Sequence, residues 1–189
     1  MNAHMISVIL LIAIIFCEIW GITAVDREKL LGSMIYYTQL SNVAALFSAA
    51  LLLVFGPLSW ITAFRYLAVC MLVMTCLVTV FILRPLIKND YILLWCRSGF
   101  FLHLVCPFLN VISYSFFEAH VTARGMIIPP AVTLLYGVIM LYMNYINKID
   151  GPYPFLRIHN QSKTATVIWI IVLLMVVSLI SFTVYIPLR

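Results

Sequence analysis

The sequence predicts an all-α fold, a polytopic membrane bundle of six transmembrane helices, and three observations carry that expectation. Of 189 residues, 65% are hydrophobic and 9% are charged, with a mean hydropathy of +1.14, whereas water-soluble domains carry roughly 25% charged residues. Six apolar runs, near residues 5–25, 34–56, 62–84, 92–117, 126–147 and 165–187, are each long enough to cross a hydrocarbon core of about 30 Å. The connections between them are too short for a globular insert, so residues 1–189 read as a single six-helix transmembrane domain.

The first span carries Glu18 and lacks a basic leader or a small-residue cleavage pattern, so it is expected to stay as a helix. The second opens with Tyr36-Tyr37-Thr38-Gln39-Leu40-Ser41-Asn42, in which Thr38, Ser41, Asn42 and Ala45 recur at helical spacing as one small, polar face. A Gly56-Pro57 turn leads into the third span. The fourth contains Arg97 near its start and His103 about three turns in, followed by Cys106-Pro107, Asn110 and Tyr114. Pro107 has no N–H for the His103 carbonyl four residues back, so a local bend is expected at the histidine. Pro129 and Pro130 fall in the first turn of span five, where missing donors cost little. The longest connection, 148–164, contains Gly151-Pro152-Tyr153-Pro154-Phe155-Leu156-Arg157, a stiff segment suited to a membrane interface.

The net charge of +5 does not point to nucleic acid, because the basic residues are spread over the connections rather than clustered with aromatics. They read as topology signals. Arg27, Lys29, Arg84, Lys88, Lys148, Arg157 and Lys163 flank the odd-numbered connections, against Arg65, Arg124 and Arg189 on the opposite side. That asymmetry favours odd connections in the cytoplasm and both termini outside. Cys17, Cys70, Cys76, Cys96 and Cys106 lie in apolar runs without a C-x-x-C pair, which argues against a disulfide framework or a zinc site. No dense His or carboxylate set, P-loop, H-E-x-x-H or G-x-S-x-G occurs, so neither a metal nor an organic cofactor is expected.

Ionisable groups inside a span cost about 2.5–3.5 kcal/mol on insertion scales and so call for a partner or a wet cavity. Glu18, Arg97 and His103 are the three that stand out, all toward the side of the odd connections. Glu18 has three readings: it orients the imidazole, pairs with Arg97, or stays protonated; the Arg97 pair is preferred. A threonine hydroxyl becomes a useful nucleophile once a base takes its proton, and an imidazole with a pKa near about 6.5 suits that work. Thr38 and His103 are therefore the candidate nucleophile and base, with Ser41 or Asn42 as candidate donors to an oxyanion and Asn110 on the histidine stripe as a supporting residue. Cys106, one turn after His103, is an alternative nucleophile, and Tyr153, Pro154 and Phe155 form a possible lid. For each of these residues alone, helix packing or interfacial anchoring is the commoner role.

The aromatic-x-Thr motif at Tyr36-Tyr37-Thr38, the intramembrane His103-Leu104-Val105-Cys106-Pro107 and the Tyr153-Pro154-Phe155-Leu156 connection, in this order over six spans, resemble the androgen-induced gene family. This family includes the androgen-dependent TFPI-regulating protein, and the likeness covers most of the chain. The resemblance implies an intramembrane threonine hydrolase of fatty acid esters of hydroxy fatty acids, with Thr38 as nucleophile and His103 as its partner. Gln39-Leu40-Ser41-Asn42 after the threonine resembles the family's bacterial branch, which in a bacterium implies the cell membrane.

The leading expectation is thus a lipid ester hydrolase or acyl-transfer enzyme with a membrane lipid or fatty acid ester as substrate. A non-catalytic membrane binding or assembly protein, in which the polar stripe packs helices or holds a lipid, is the rival. A small transporter is a third reading that short length and the lack of internal repeats disfavour.

Overall fold

The computed structural model describes residues 3–25, 32–87 and 91–186. Six helices in it are long and apolar enough to span a membrane: α1 (Ala3–Ile22), α2 (Tyr37–Phe55), α3 (Ser59–Leu86), α4 (Arg97–Phe117), α5 (Ala123–Tyr145) and α6 (Lys163–Tyr185). The chain is therefore an all-α, multi-pass membrane protein. Among the described residues no strand occurs. Arg27, Lys29, Lys88 and Arg189, four of the charges behind the expected orientation, lie outside the described residues.

The longest helix, α3, is also the most buried, and α2, α4, α5 and α6 all pack on it. At 1.5 Å per residue its 28 residues extend about 42 Å, more than a hydrocarbon core is thick, so it tilts or protrudes. On α1, Leu11, Ile14, Glu18 and Gly21 recur every three or four residues and form the buried stripe. Met5, Ile9, Ile12, Phe16 and Ile19 make the outward stripe, as expected where lipid is the solvent. Gly21 is required by the close approach of α4, since a Cβ there would stand 2.5 Å from Leu102 Cδ2.

The fourth helix starts later than hydropathy alone suggests. Cys96 adopts extended backbone (φ −69°, ψ 161°) and its sulfur accepts from the Gly99 N–H, which caps the helix at Arg97. Arg97 therefore stands exposed in the first turn, with its guanidinium 4.8 Å from the Trp20 ring centroid. This corrects the expected Glu18–Arg97 pair: Glu18 faces inward on the buried stripe, and Arg97 snorkels to an aromatic at the helix end.

The buried cation is instead Arg65 on α3, which hydropathy and charge counting assign to the membrane edge. It is 0% exposed and forms a two-pronged pair with Glu118 at the end of α4, Nε to Oε2 at 2.9 Å and Nη2 to Oε1 at 2.7 Å. Nη1 donates to Asn110 Oδ1 at 2.7 Å and, more weakly, to Ser48 Oγ on α2 at 3.5 Å, while Ser113 Oγ donates to Glu118 Oε1 at 2.6 Å. Asn110 continues the network by donating to the Cys106 carbonyl at 2.9 Å and weakly to Glu18 Oε1 at 3.5 Å. Three helices thus meet on one guanidinium through fork geometry that satisfies most of its donors, and Asn110 links a fourth, α1, to the network. Asn110, expected to support the histidine, belongs to this network.

Two of the helices change pitch beside a proline. Residues Val78–Leu83 of α3 and Phe101–Val105 of α4 are π-helical, with Arg84 N–H bonded to the Thr79 carbonyl and Cys106 N–H to that of Phe101. Pro85 and Pro107 each follow after one intervening residue, Arg84 and Cys106. A proline ring crowds the carbonyl four residues earlier, and a wider turn moves that carbonyl aside. The expected bend at His103 takes this form.

Because one charge left alone in a dry interior is costly, Arg65→Leu and Glu118→Gln should each destabilise the protein by about 3–5 kcal/mol. The double variant Arg65→Met/Glu118→Leu should recover most of that loss in detergent unfolding. Equal losses for all three variants would exclude the pairing as their cause.

Candidate functional site

A cavity of ≈ 90 Å³ opens between α3, α5 and α6, on the side of the odd connections. That is several times the roughly 10–15 Å³ one water requires. Most of its wall is apolar, with Met74, Val78 and Leu83 from α3, Leu141 from α5 and Leu173 and Leu174 from α6. The polar groups on it are hydroxyls: Tyr37, Thr38, Thr75, Thr79, Thr133, Tyr136 and Tyr153. Such a lining suits a long apolar ligand with one polar region.

The connection after α5 closes the cavity. Gly151 has φ +48°, a left-handed turn that an L side chain would strain, and a Cβ there would also stand 3.0 Å from the Leu156 carbonyl oxygen. Beyond it Tyr153, Phe155 and Leu156 turn inward and are buried. The Tyr153 and Phe155 rings stack at 5.2 Å and 9°, and Phe155 leans on Trp169 of α6 at 5.6 Å. Asn144 at the end of α5 pins the segment, donating to the Ile149 carbonyl and accepting the Ile158 N–H, both at 2.9 Å. Tyr153, Pro154 and Phe155 were expected as a lid over the mouth; two of their three side chains form the wall itself.

Thr38 sits in the first turn of α2 and on the cavity wall. Its N–H donates to the Tyr153 hydroxyl at 3.3 Å, and its own Oγ1 lies 3.3 Å from that same oxygen. Because Tyr153 accepts the backbone proton, its phenol proton is free for Thr38 Oγ1 or for a ligand oxygen. Ser41 and Asn42, the expected oxyanion donors, turn back instead, Ser41 Oγ and Asn42 Nδ2 donating to the Thr38 carbonyl at 2.8 and 2.7 Å. Neither side chain lines the cavity. An N–H or O–H already satisfied within its own helix turn is poorly placed to meet a ligand.

His103 lies in the π-helical turn of α4, half-buried and off the cavity wall. Its Nδ1 is 3.1 Å from Thr79 Oγ1 on α3. Thr79, in turn, is on the wall and stands in the other π-helical turn. One turn earlier on α3, Thr75 Oγ1 meets Ser41 Oγ at 3.0 Å. Sequence reasoning paired His103 with Thr38; the side-chain partner of the imidazole among the described residues is Thr79, and that of Thr38 is Tyr153. Thr79 was not singled out in the sequence, although Thr75 and Thr79 at i and i+4 inside an apolar run are the signal that marks a polar stripe. Cys106 is fully buried one turn from His103 beside Glu18, away from the cavity wall.

Comparison with known protein families, with characterised proteins and with solved structures finds no match for this chain.

Burial raises the pKa of the Tyr153 phenol above its ordinary value, and the hydrogen bonds with Thr38 lower it only in part. The unfolded phenol then ionises first as pH rises, so the native state loses stability above about pH 10 and is unaffected below it. The advantage of the parent over Tyr153→Phe, about 1 kcal/mol for the lost hydrogen bonds, should be constant up to that pH and shrink beyond it. Denaturation of both proteins across a pH series measures this. An advantage that already declines between about pH 7 and about pH 9 would contradict the assignment.

Proposed function

We propose that this chain is an intramembrane enzyme that hydrolyses a lipid ester, or transfers its acyl group, with a threonine nucleophile and His103 as the base. The observation that carries the reading is a threonine–imidazole hydrogen bond of 3.1 Å at the wall of an apolar cavity whose polar lining consists of hydroxyls. The apolar wall of such a chamber offers hydrocarbon contact to the part of an acyl chain next to the ester, and hydroxyl-bearing residues lie beside it. The family resemblance supports the same chemistry and a substrate of the fatty acid ester of hydroxy fatty acid type, and it nominates Thr38 as the attacking hydroxyl.

The base works by accepting the threonine proton as the hydroxyl attacks the acyl carbonyl, then returning it to the leaving alcohol. Water repeats the cycle on the acyl-threonine and frees the acid. Tyr153, a neutral donor on the same wall, supplies a hydrogen bond to the developing oxyanion. The chamber keeps bulk water from the first step.

The cavity face lies on the side of the odd connections, which we infer to be cytoplasmic, with both termini outside and the cell membrane as the location in a bacterium. Removing the buried Arg65 from the charge count leaves seven basic residues there against two opposite, which strengthens the asymmetry.

The test is a fluorophosphonate probe and lipid ester turnover on the purified protein in detergent or vesicles. His103→Ala should lower both on the order of 100-fold or more while the fold is kept. Gly137 stands between Thr133 and Leu141 on the cavity face of α5, and a Cβ there meets nothing within 4 Å. Gly137→Leu should therefore leave stability equal or higher while cutting turnover of long-chain esters. Absence of both labelling and turnover in the folded parent protein would favour the binding or assembly role.

A further inference from the structure

We infer that Thr79, rather than Thr38, is the hydroxyl that attacks the ester, with His103 behind it as the base. The inference rests on the hydrolase reading above and concerns which side chain performs its central step. Three observations carry it. Thr79 Oγ1 is the hydroxyl at hydrogen-bonding distance from His103 Nδ1, 3.1 Å. Thr79 belongs to the cavity wall and His103 does not, so the imidazole approaches Thr79 from outside the cavity, the side from which a base would serve it. Thr38 has different surroundings: its side-chain oxygen lies 3.3 Å from the Tyr153 phenol, which is a far weaker base than an imidazole.

The local backbone supports the same assignment. Both members of the pair stand in π-helical turns, Thr79 in Val78–Leu83 and His103 in Phe101–Val105, each ahead of a proline. The extra residue in each turn alters the direction of the side chains relative to an α-helix and turns these two toward one another across the α3–α4 contact.

The step balances within the chain. Thr79 Oγ1 forms a bond to the acyl carbon while its proton passes to His103 Nδ1; the ester C–O bond breaks as that proton passes to the alkoxide, leaving acyl-Thr79 and free alcohol. Water, deprotonated by the same nitrogen, then attacks the acyl carbon and releases the fatty acid, and Thr79 regains its proton. Nδ1 accepts in this scheme, so Nε2 carries the hydrogen in the resting imidazole. Thr38 and Tyr153 bound the chamber and orient the carbonyl.

The experiment is mass-spectrometric mapping of the fluorophosphonate adduct on the full chain, in which the threonine oxygen displaces fluoride from phosphorus. The adduct is expected on Thr79. Thr79→Ser should keep labelling, and Thr79→Val, of the same shape, should abolish it. An adduct on Thr38, persisting in Thr79→Val, overturns this assignment while leaving the hydrolase reading intact. Labelling of neither threonine, together with no ester turnover, removes both.

Discussion

A single guanidinium sets the geometry on which the site depends. Arg65 ties α3 to the end of α4 through Glu118, to the middle of α4 through Asn110 and, more loosely, to α2 through Ser48. Removing such a cation from water is favourable only when nearly every N–H finds an acceptor, and here a carboxylate, an amide and a hydroxyl provide them. The consequence reaches along the helices. Fourteen residues farther on α3, about 21 Å at helical rise, Thr79 meets His103 of α4. Two helices joined at both ends have little freedom to slide or rotate between these points.

The prolines act on this rigid pair locally. Neither Pro85 nor Pro107 breaks its helix; each is preceded by a widened turn in which bonds reach back five residues. The result is a small, fixed change of side-chain direction in two facing segments that would otherwise continue as ordinary helix. Membrane helices tolerate such departures because neighbouring helices supply partners for the freed groups, and α3 is enclosed by four of them.

Around this frame the chamber is chemically simple. Its walls are hydrocarbon, its polar groups are uncharged hydroxyls, and the ion pair lies apart from it. A neutral lipid ester entering from the bilayer would meet no fixed charge to desolvate, and the few hydroxyls it meets are held by partners on other elements, Tyr37 by Thr133 and Thr38 by Tyr153. In the proposed chemistry, a low-dielectric surrounding strengthens each of these dipoles at the moment charge appears on the carbonyl oxygen. The Gly151 turn and the Asn144 clamp give the closing segment a defined shape.

The sequence by itself determined the fold class, six spans and the short connections, because apolar length is a one-dimensional property and a bilayer selects for it directly. It also marked Thr38, His103 and the Tyr153 segment as unusual, since polar groups within or beside spans stand out from their neighbours. Which groups touch was decided only in the tertiary structure. Arg65 counted as an edge charge because it is close to a span end, and only the stacking of α3 on α4 brings it to Glu118 away from water. Arg97, in contrast, read as buried until the Cys96 cap moved the start of α4 to it. The partner of His103 depended on two π-helical turns that shift side-chain direction by a fraction of a turn, a displacement set by crowding at Pro85 and Pro107 and by packing between helices, neither of which is expressed in residue spacing along one chain.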